Sequence, residues 1–558
     1  MVNIRFCVKI SYYYVIFLFE NVKTFTLFES LRKKNTIFAV MFIQKNINNS
    51  HYLFMNFKTI AKLATISLGI TLVGCANKTS DKGVSSVTGW KYNDKEGTEF
   101  LVKNNFKTKV PPGMVAIEGG SYTVGERGEF VTAPRDNKRR RITVSSFYMD
   151  QYEIRNIDWR EYTNWMQKVF GKTAPKLVAK AQPNGKIWRE ELAYNEPYLE
   201  NYFTHPSFDQ YPIVGVTWEQ AMDYCAWRTD RVNEKALIDA GIIEAPDFSS
   251  LPKKEDFDSI ATNFVFNTQK YLLQSSYKPA EGRRPKEDAS GQVRKVDMSD
   301  GILFSDFRLP TEAEWEFAAY ATRSEKDGLV KESKVYPWSG AQVRVPSKKA
   351  LGQMQANFVR GRGDMMGTSG SLNDKATITA EVNKYTPNNF GLYNMAGNVN
   401  EWVLDVYRPT SFEELSEYNS FRGNIYLTPV IESTDEIGNK VYKIDSLGRV
   451  QTKVDKNDDV RNFKDGDATS QYNFSLALVD PKGLDNLKNT QKIDPTDVLC
   501  PKVTDKTRVY KGGSWKDRVY WLSPSTRRFL DQDKSANDIG FRCAMSMIGS
   551  IDDKTTKK

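Results

Sequence analysis

Histidine is nearly missing from this chain: His51 and His205 are the two in 558 residues. Three-histidine zinc, multi-histidine iron and paired-histidine metalloprotease sites are excluded, because each needs imidazoles that the sequence does not hold. Cysteine is sparse as well, with five, at positions 7, 75, 225, 500 and 543. That number cannot build a disulfide-dense framework. No repeat at a solenoid or propeller period is evident. An excess of one charge sign is missing from the body too. The formal net charge is +10, but residues 1–54 hold seven basic and two acidic groups, residues 55–74 add Lys58 and Lys62, and from Cys75 onward seventy basic groups face sixty-seven acidic ones. This near balance predicts no nucleic-acid partner. What the chain has is 40% hydrophobic, 27% charged and 12% aromatic content, which suits a folded protein and excludes disordered and fibrous classes.

The clearest local signal begins at Met55. MNFKTIAKLATISLGITLVGCANK places two lysines before an apolar run of secretory length, then Leu72-Val73-Gly74-Cys75. The run is short for a bilayer span, and a small residue before a lone cysteine suits cleavage after a lipid is attached to the thiol. Residues 55–74 therefore read as a lipoprotein signal peptide, with Cys75 as the lipidation site and residues 75–110 as a tether. A short membrane helix that ends in Gly-Cys is the plainer alternative, and it leaves Asn77-Lys78-Thr79-Ser80 unexplained. Residues 1–54 lack acceptable signal geometry and read as a mis-called upstream start. Export would bring Cys225, Cys500 and Cys543 into oxidising conditions, where three thiols permit one pair and one leftover, and spacing alone does not choose the pair.

The folded domain is expected over 111–548. Pro111-Pro112-Gly113 ends the tether, and MVAIEGGSYTVG and RRRITVSSFYMDQYEI alternate apolar and polar residues, so two or three strands open the domain. Trp159, Tyr162, Thr163 and Met166 recur at helical spacing after Asn156, as do Trp218, Ala221, Cys225 and Arg228 in TWEQAMDYCAWR. In FRLPTEAEWEFAAY, Thr311 followed by Glu314 predicts a capping box, and Glu312 and Glu316 share a helix face that Glu314 leaves. Two long insertions, 229–306 and 408–506, interrupt this pattern, the first without a convincing apolar face beyond its opening helix. Lys138 to Arg141 reads as a solvated strand edge, and residues 549–558 as a basic tail. Short strands, few helices and eleven tryptophans predict an α+β fold rich in irregular structure.

Taken in order, MVAIEGGSYTVG, SFYMDQYEIRN, YPIVGVTWEQAMDYCAWR, FRLPTEAEWEFAA, YPWSG, ANF, PNNFGLYNMAGNVNEW, VYKGGSW and IGFRCA resemble the formylglycine-generating enzyme (sulfatase-modifying factor) family. The resemblance implies a C-type-lectin-like α+β fold with low regular secondary structure and bound calcium. It also implies where catalysis should lie: two copper-binding cysteines shortly after the Gly-Gly-Ser-Trp motif. Here Asp517 and Leu522 stand at that spacing, and no cysteine occurs between Gly512 and Arg542. Neither carboxylate nor alkyl replaces a thiolate as ligand or redox partner, so copper is not expected and no catalytic residue is assigned. The same resemblance implies a disulfide between Cys225 and Cys543, leaving Cys500 as the odd thiol. It further implies two structural calcium sites. One would use Asn357, Phe358, Asp374 and Ala376; the other Asn394 and Glu401 side chains with the carbonyls of Met395, Gly397 and Val399. The bland alternative is that Asn394 and Glu401 cap loops by hydrogen bonding.

The lipobox, the missing cysteines, TGWKYNDKEG and WREELAYNEPYLENYFTHPSFDQYPIVGVTWEQAMDYCAWRTDRVNE narrow the resemblance to the gliding-motility lipoproteins of Bacteroidetes, a non-catalytic branch. That implies a non-enzymatic scaffold, anchored by lipid to the outer membrane with a periplasmic body. Its partners would be gliding and type IX secretion components, including the lipoprotein GldK, with the insertions as docking surfaces. A calcium-dependent glycan-binding module and a residual formylglycine-generating enzyme are the competing readings.

Overall fold

The computed structural model describes residues 4–9, 14–19, 83–85, 87–92, 109–125, 137, 139–251, 264–287, 291–321, 334–360, 376–408, 417–418, 420–423, 425–434, 438–459 and 505–549. The signal segment 55–74, Cys75, Asp374, Cys500 and Lys554 to Lys558 lie outside them. Met1–Asp81 and Lys82–Lys558 are two separate compact units. In the first, Ile4–Lys9 and Tyr14–Phe19 pair as an antiparallel ribbon.

The second unit opens with four strands rather than the two or three expected: β1 (Met114–Ile117), β2 (Gly120–Val124), β3 (Arg140–Val144) and β4 (Phe147–Asp150). β2 and β3 pair as a ribbon that turns Tyr122, Val124, Ile142 and Val144 inward, as alternation requires. β4 lies between β1 and a C-terminal strand, β10 (Ala544–Ser546), and β5 (Phe307–Arg308) closes this sheet. A second sheet has the order β8 (Arg528–Asp531), β7 (Thr507–Lys511), β6 (Asn400–Val406), β9 (Ile539–Gly540). β9 runs parallel to β6 and sets Gly540 opposite Glu401. The last blocks of the domain thus complete both sheets.

Among the described residues, the three longest helices pack on this frame. α1 (Asn156–Phe170) and α2 (Trp218–Asp239) bury Trp159, Tyr162, Met166, Tyr224 and Cys225, with Trp159 stacked on Tyr224 at 5.4 Å between ring centroids. The expected helical spacing holds in both, and the Thr217 hydroxyl caps α2 by accepting from Gln220 N. α3 (Glu312–Tyr320) carries the expected capping box: Thr311 Oγ1 accepts from Glu314 N, and Glu314 accepts from Thr311 N. Its Trp315 and Phe317 enter the core between the sheets.

The first insertion differs from its reading. α2 runs unbroken across residue 229, and Leu237, Ile242, Ile243, Phe266, Tyr271, Tyr277, Val296 and Leu303 form a small core of their own. Buried polar groups anchor it and hide the apolar period. Asp230 accepts from Asn267 Nδ2 and Thr268 N, and Asn233 exchanges hydrogen bonds with the Phe304 backbone. In the second insertion, Ile425–Pro429 pairs with Thr452–Asp459 and Ile431–Thr434 with Lys440–Tyr442. Arg449 ties its base to α2 through Asp223 at 3.0 Å.

Candidate functional site

The segment where the resemblance places copper chemistry begins with two glycines that the geometry requires. Gly512 and Gly513 have φ of +104° and +71°, and a Cβ on Gly513 would lie 2.8 Å from the Trp521 carbonyl oxygen. The turn delivers Ser514, Trp515 and Asp517 into the domain. Trp515 N donates to Asn398 O at 2.8 Å, which fastens the turn to the loop before β6.

Asp517 is wholly engaged. Its carboxylate accepts from Arg528 Nη1 at 2.6 Å and Nη2 at 2.5 Å, from Ser514 N at 2.8 Å and from Ser514 Oγ at 2.7 Å. Burial opposes its charge, yet Arg528 holds the carboxyl below the usual range. Neighbouring Asp538 is shifted the other way, first by burial and then by Asp517. Leu522 has no exposed surface and packs with Tyr336, Met354, Ala356, Phe358 and Ala396. The two positions are an ion pair and a hydrophobic plug. Among the described residues, no group of three His, Cys, Asp or Glu side chains could hold a metal ion.

Beside this lies a knot of buried polar groups that joins the two expected calcium loops. Asn357 Nδ2 donates to Asn398 Oδ1 at 3.3 Å, and Asn357 O accepts from Asn398 N at 2.9 Å. Asn398 and Asn394 each donate through Nδ2 to Glu153 Oε2, at 2.8 and 2.9 Å. Asn394 and Asn398 sit at φ of 51° and 67°, the left-handed region that Asn tolerates better than other side chains. Burial, and then Glu401, push the Glu153 carboxyl up to about 8.

Glu401, expected to give its carboxylate to the second calcium site, is engaged by other groups. Both carboxylate oxygens are taken: Arg542 Nη2 donates to Oε1 at 2.5 Å, while Arg542 Nε and Trp315 Nε1 donate to Oε2 at 2.7 Å each. A full positive charge therefore already faces the carboxylate that was expected to attract calcium. Met395, Gly397 and Val399 are buried on the same loop, and among the described residues no hydrogen bond reaches the Met395 or Gly397 carbonyl. Such oxygens suit a hard cation, but without a free carboxylate the second site does not fit calcium as drawn. At the first site, Asn357 and Phe358 are buried and Ala376 is half-buried, with Asp374 outside the described residues.

Cys225 and Cys543 are brought together but not joined. Both are buried free thiols with their sulfurs 3.5 Å apart. Burial, reinforced by Cys225, pushes the Cys543 thiol well up.

The face that Glu312 and Glu316 share is a charge network. Lys511 Nζ reaches Glu312 at 3.1 Å and Glu316 at 2.9 Å, and Arg527 binds Glu312 with two donors. Arg140, expected on a solvated edge, is half-buried, its pKa lowered by burial and Arg527 and opposed by Glu312 and Glu316. Sequence reasoning missed Glu153, Asn398 and Arg542 as members of the site. The available signal was that each lies in a quoted block, next to a glycine or among apolar residues where an unpaired polar group is costly.

Residues 100–458 match the sulfatase-modifying factor enzyme 1-like domain family, so the Gly-Gly-Ser-Trp turn lies beyond the matched stretch. The chain is 24% identical over 295 residues to the formylglycine-generating enzyme of Mus musculus, covering 52% of this chain and 58% of that protein. It thus spans less than two thirds of that relative. To the inactive C-alpha-formylglycine-generating enzyme 2 of Mus musculus it is 39% identical over 325 residues, covering 53% of this chain and 70% of the relative. Among solved structures, PvdO from Pseudomonas aeruginosa aligns over 78% of this chain and 94% of its own, at 14% identity and a TM-score of 0.36. The family match over more than half of the chain, with its mixture of helix and strand, establishes that this protein belongs to the sulfatase-modifying factor enzyme 1-like domain family.

Proposed function

We propose that this chain is a non-enzymatic member of its family, lipidated at Cys75 and held at the outer membrane with a periplasmic body, and that it serves as a structural scaffold. The observation that carries this reading is the pair of positions after Gly-Gly-Ser-Trp. Asp517 is consumed by Arg528, and Leu522 is packed shut, so neither leaves a thiol or an open coordination position. An inactive relative among the similar proteins supports it. The more specific assignment is a gliding-motility lipoprotein of the GldJ type from Bacteroidetes, C-type-lectin-like in fold. GldK and other type IX secretion components would be its partners, and calcium would be structural at the loop of Asn357, Phe358, Asp374 and Ala376. Oxidation of Cys225 and Cys543 to a disulfide after export completes the proposal, since the two thiols already touch.

Deleting the gene should abolish gliding and type IX secretion, and chains carrying Asp517→Asn or Leu522→Met should restore both. Unchanged motility and secretion in the deletion strain would remove the scaffold role.

A further inference from the structure

Residues 342–355 make a short hairpin beside the closed Gly-Gly-Ser-Trp turn. Val345 N donates to Gln353 O at 2.8 Å, Gln355 N to Val343 O at 3.0 Å, and Gly352 N to Val345 O at 3.1 Å, with Arg344 bridged to Met354. The base is fixed: Met354, Ala356 and Phe358 pack with Tyr336 and Leu522, and Trp338 Nε1 and Gln355 Nε2 both donate to Gln342 O, at 2.7 and 2.8 Å. The tip stands in solvent. Pro346, Ser347, Lys348 and Lys349 are exposed, and Leu351 is 69% exposed. Ala350 N donates to Ser347 O at 3.1 Å, which keeps the lysines and the leucine on one tight turn.

One exposed leucine is ordinary on a protein surface, but its company here is not. Between Glu332 and Asp364 the chain holds six basic residues, Lys334, Arg344, Lys348, Lys349, Arg360 and Arg362, and no acidic one, although charge from Cys75 onward is nearly balanced. Exposed cations elsewhere meet acids: Arg189 with Glu196, Lys235 with Asp239 and Lys534 with Asp531. Lys348 and Lys349 enter no ion pair among the described residues. Two unopposed ammonium groups beside an apolar side chain match a surface that is anionic outside and apolar just beneath, as a bilayer with acidic headgroups is. Such a surface is within reach if Cys75 carries lipid, because residues 75–110 span about 120 Å when extended.

We propose that the 346–351 tip docks on a bilayer containing anionic phospholipid, with Leu351 at the acyl boundary and Lys348 and Lys349 at the headgroup phosphates. This rests on the lipid-anchor reading and adds a second membrane contact, one that decides which face of the domain turns toward the bilayer. A tip held by its base needs little ordering on contact, so few residues suffice once the anchor has brought the domain close.

The test puts an apolar fluorescent amino acid in place of Leu351, or of Leu427 as a control, in the chain purified from its own membranes, and adds vesicles of phosphatidylcholine with brominated acyl chains, with or without phosphatidylglycerol. Leu427 lies on the second insertion's ribbon and is 55% exposed. Emission from position 351 should be quenched when phosphatidylglycerol is present, and emission from 427 should not. Lys348→Gln together with Lys349→Gln should lower the ratio of docked to undocked tips roughly thirty-fold. Both lysines are exposed, so this variant should melt with wild type, and lost quenching then reports lost contact rather than lost fold. Flotation of the same samples reads the anchor separately. A chain that floats with the vesicles but is quenched equally at 351 and 427, or at neither, or equally without phosphatidylglycerol, would overturn the tip and leave the anchor standing. A chain that floats with no vesicle would overturn both. Emission at 351 that shifts in native membranes but not on lipid vesicles would give the tip to a protein and overturn the bilayer contact.

Discussion

Glu401 and Arg542, 141 residues apart in sequence and both without exposed surface, meet through two parallel hydrogen bonds at the junction of β6 with the chain after β9. Arg542 also donates to the carbonyls of Asp150 and Tyr393, so one guanidinium ties the second sheet to the first and to the loop before Asn394. Breaking a buried pair of this kind leaves an uncompensated charge and costs about 3–5 kcal/mol. Glu401→Gln should lower the urea midpoint accordingly.

The same variant separates an ion-pair role from a calcium-ligand role. If Arg542 is what Glu401 serves, the loss in Glu401→Gln should be equal in calcium and in chelator. Measured urea midpoints that differ between wild type and variant only when calcium is present would restore Glu401 as a ligand.

Stability should depend on pH through α3 and β6 together. Burial opposes the charge on Glu312, but Arg527 and Lys511 outweigh it and hold the carboxyl down at about 2. That stabilisation is present above the ordinary value of 4.5 and is lost as pH falls toward 2. Asp405 runs the other way: burial, and then Glu312, push it up to about 7 from 3.8. Its folded form keeps a proton that the unfolded form releases, so stability is lost as pH rises from about 4 to 7. Urea midpoints at pH 5, 6, 7 and 8 should therefore fall less steeply in Asp405→Asn than in wild type. An identical slope contradicts the assignment.

Peptide mapping of exported protein under non-reducing conditions should recover Cys225 linked to Cys543. In the chain-entropy model a bridge over so long a loop contributes on the order of 4–5 kcal/mol, so the reductant should lower the melting temperature of wild type and leave Cys225→Ser unchanged. Recovery of both as alkylated thiols contradicts it.

What was legible in the chain was what local chemistry determines. Thr311 and Glu314 are three residues apart, and the capping box they form is written in the sequence. Trp159, Tyr162 and Met166 announce the buried face of α1 for the same reason. The first insertion was unreadable because buried Asp230 and Asn233 replace apolar residues on α2, and its core gathers side chains from Leu237 to Leu303. The engagement of Glu401 by Arg542 was not legible because the partner arrives from the segment between β9 and β10, and no spacing rule links residue 401 to residue 542. The empty thiol positions could be read from the sequence, but not that Arg528 would close over Asp517.

The most direct measurement incubates the purified full chain with copper(I), oxygen and a cysteine-containing sulfatase peptide, and follows aldehyde by mass spectrometry. Asp517 bound by Arg528 and Leu522 sealed in its cluster predict no aldehyde above the protein-free control and no stoichiometric copper. Oxygen-dependent conversion of the peptide cysteine to formylglycine would contradict the account at its centre.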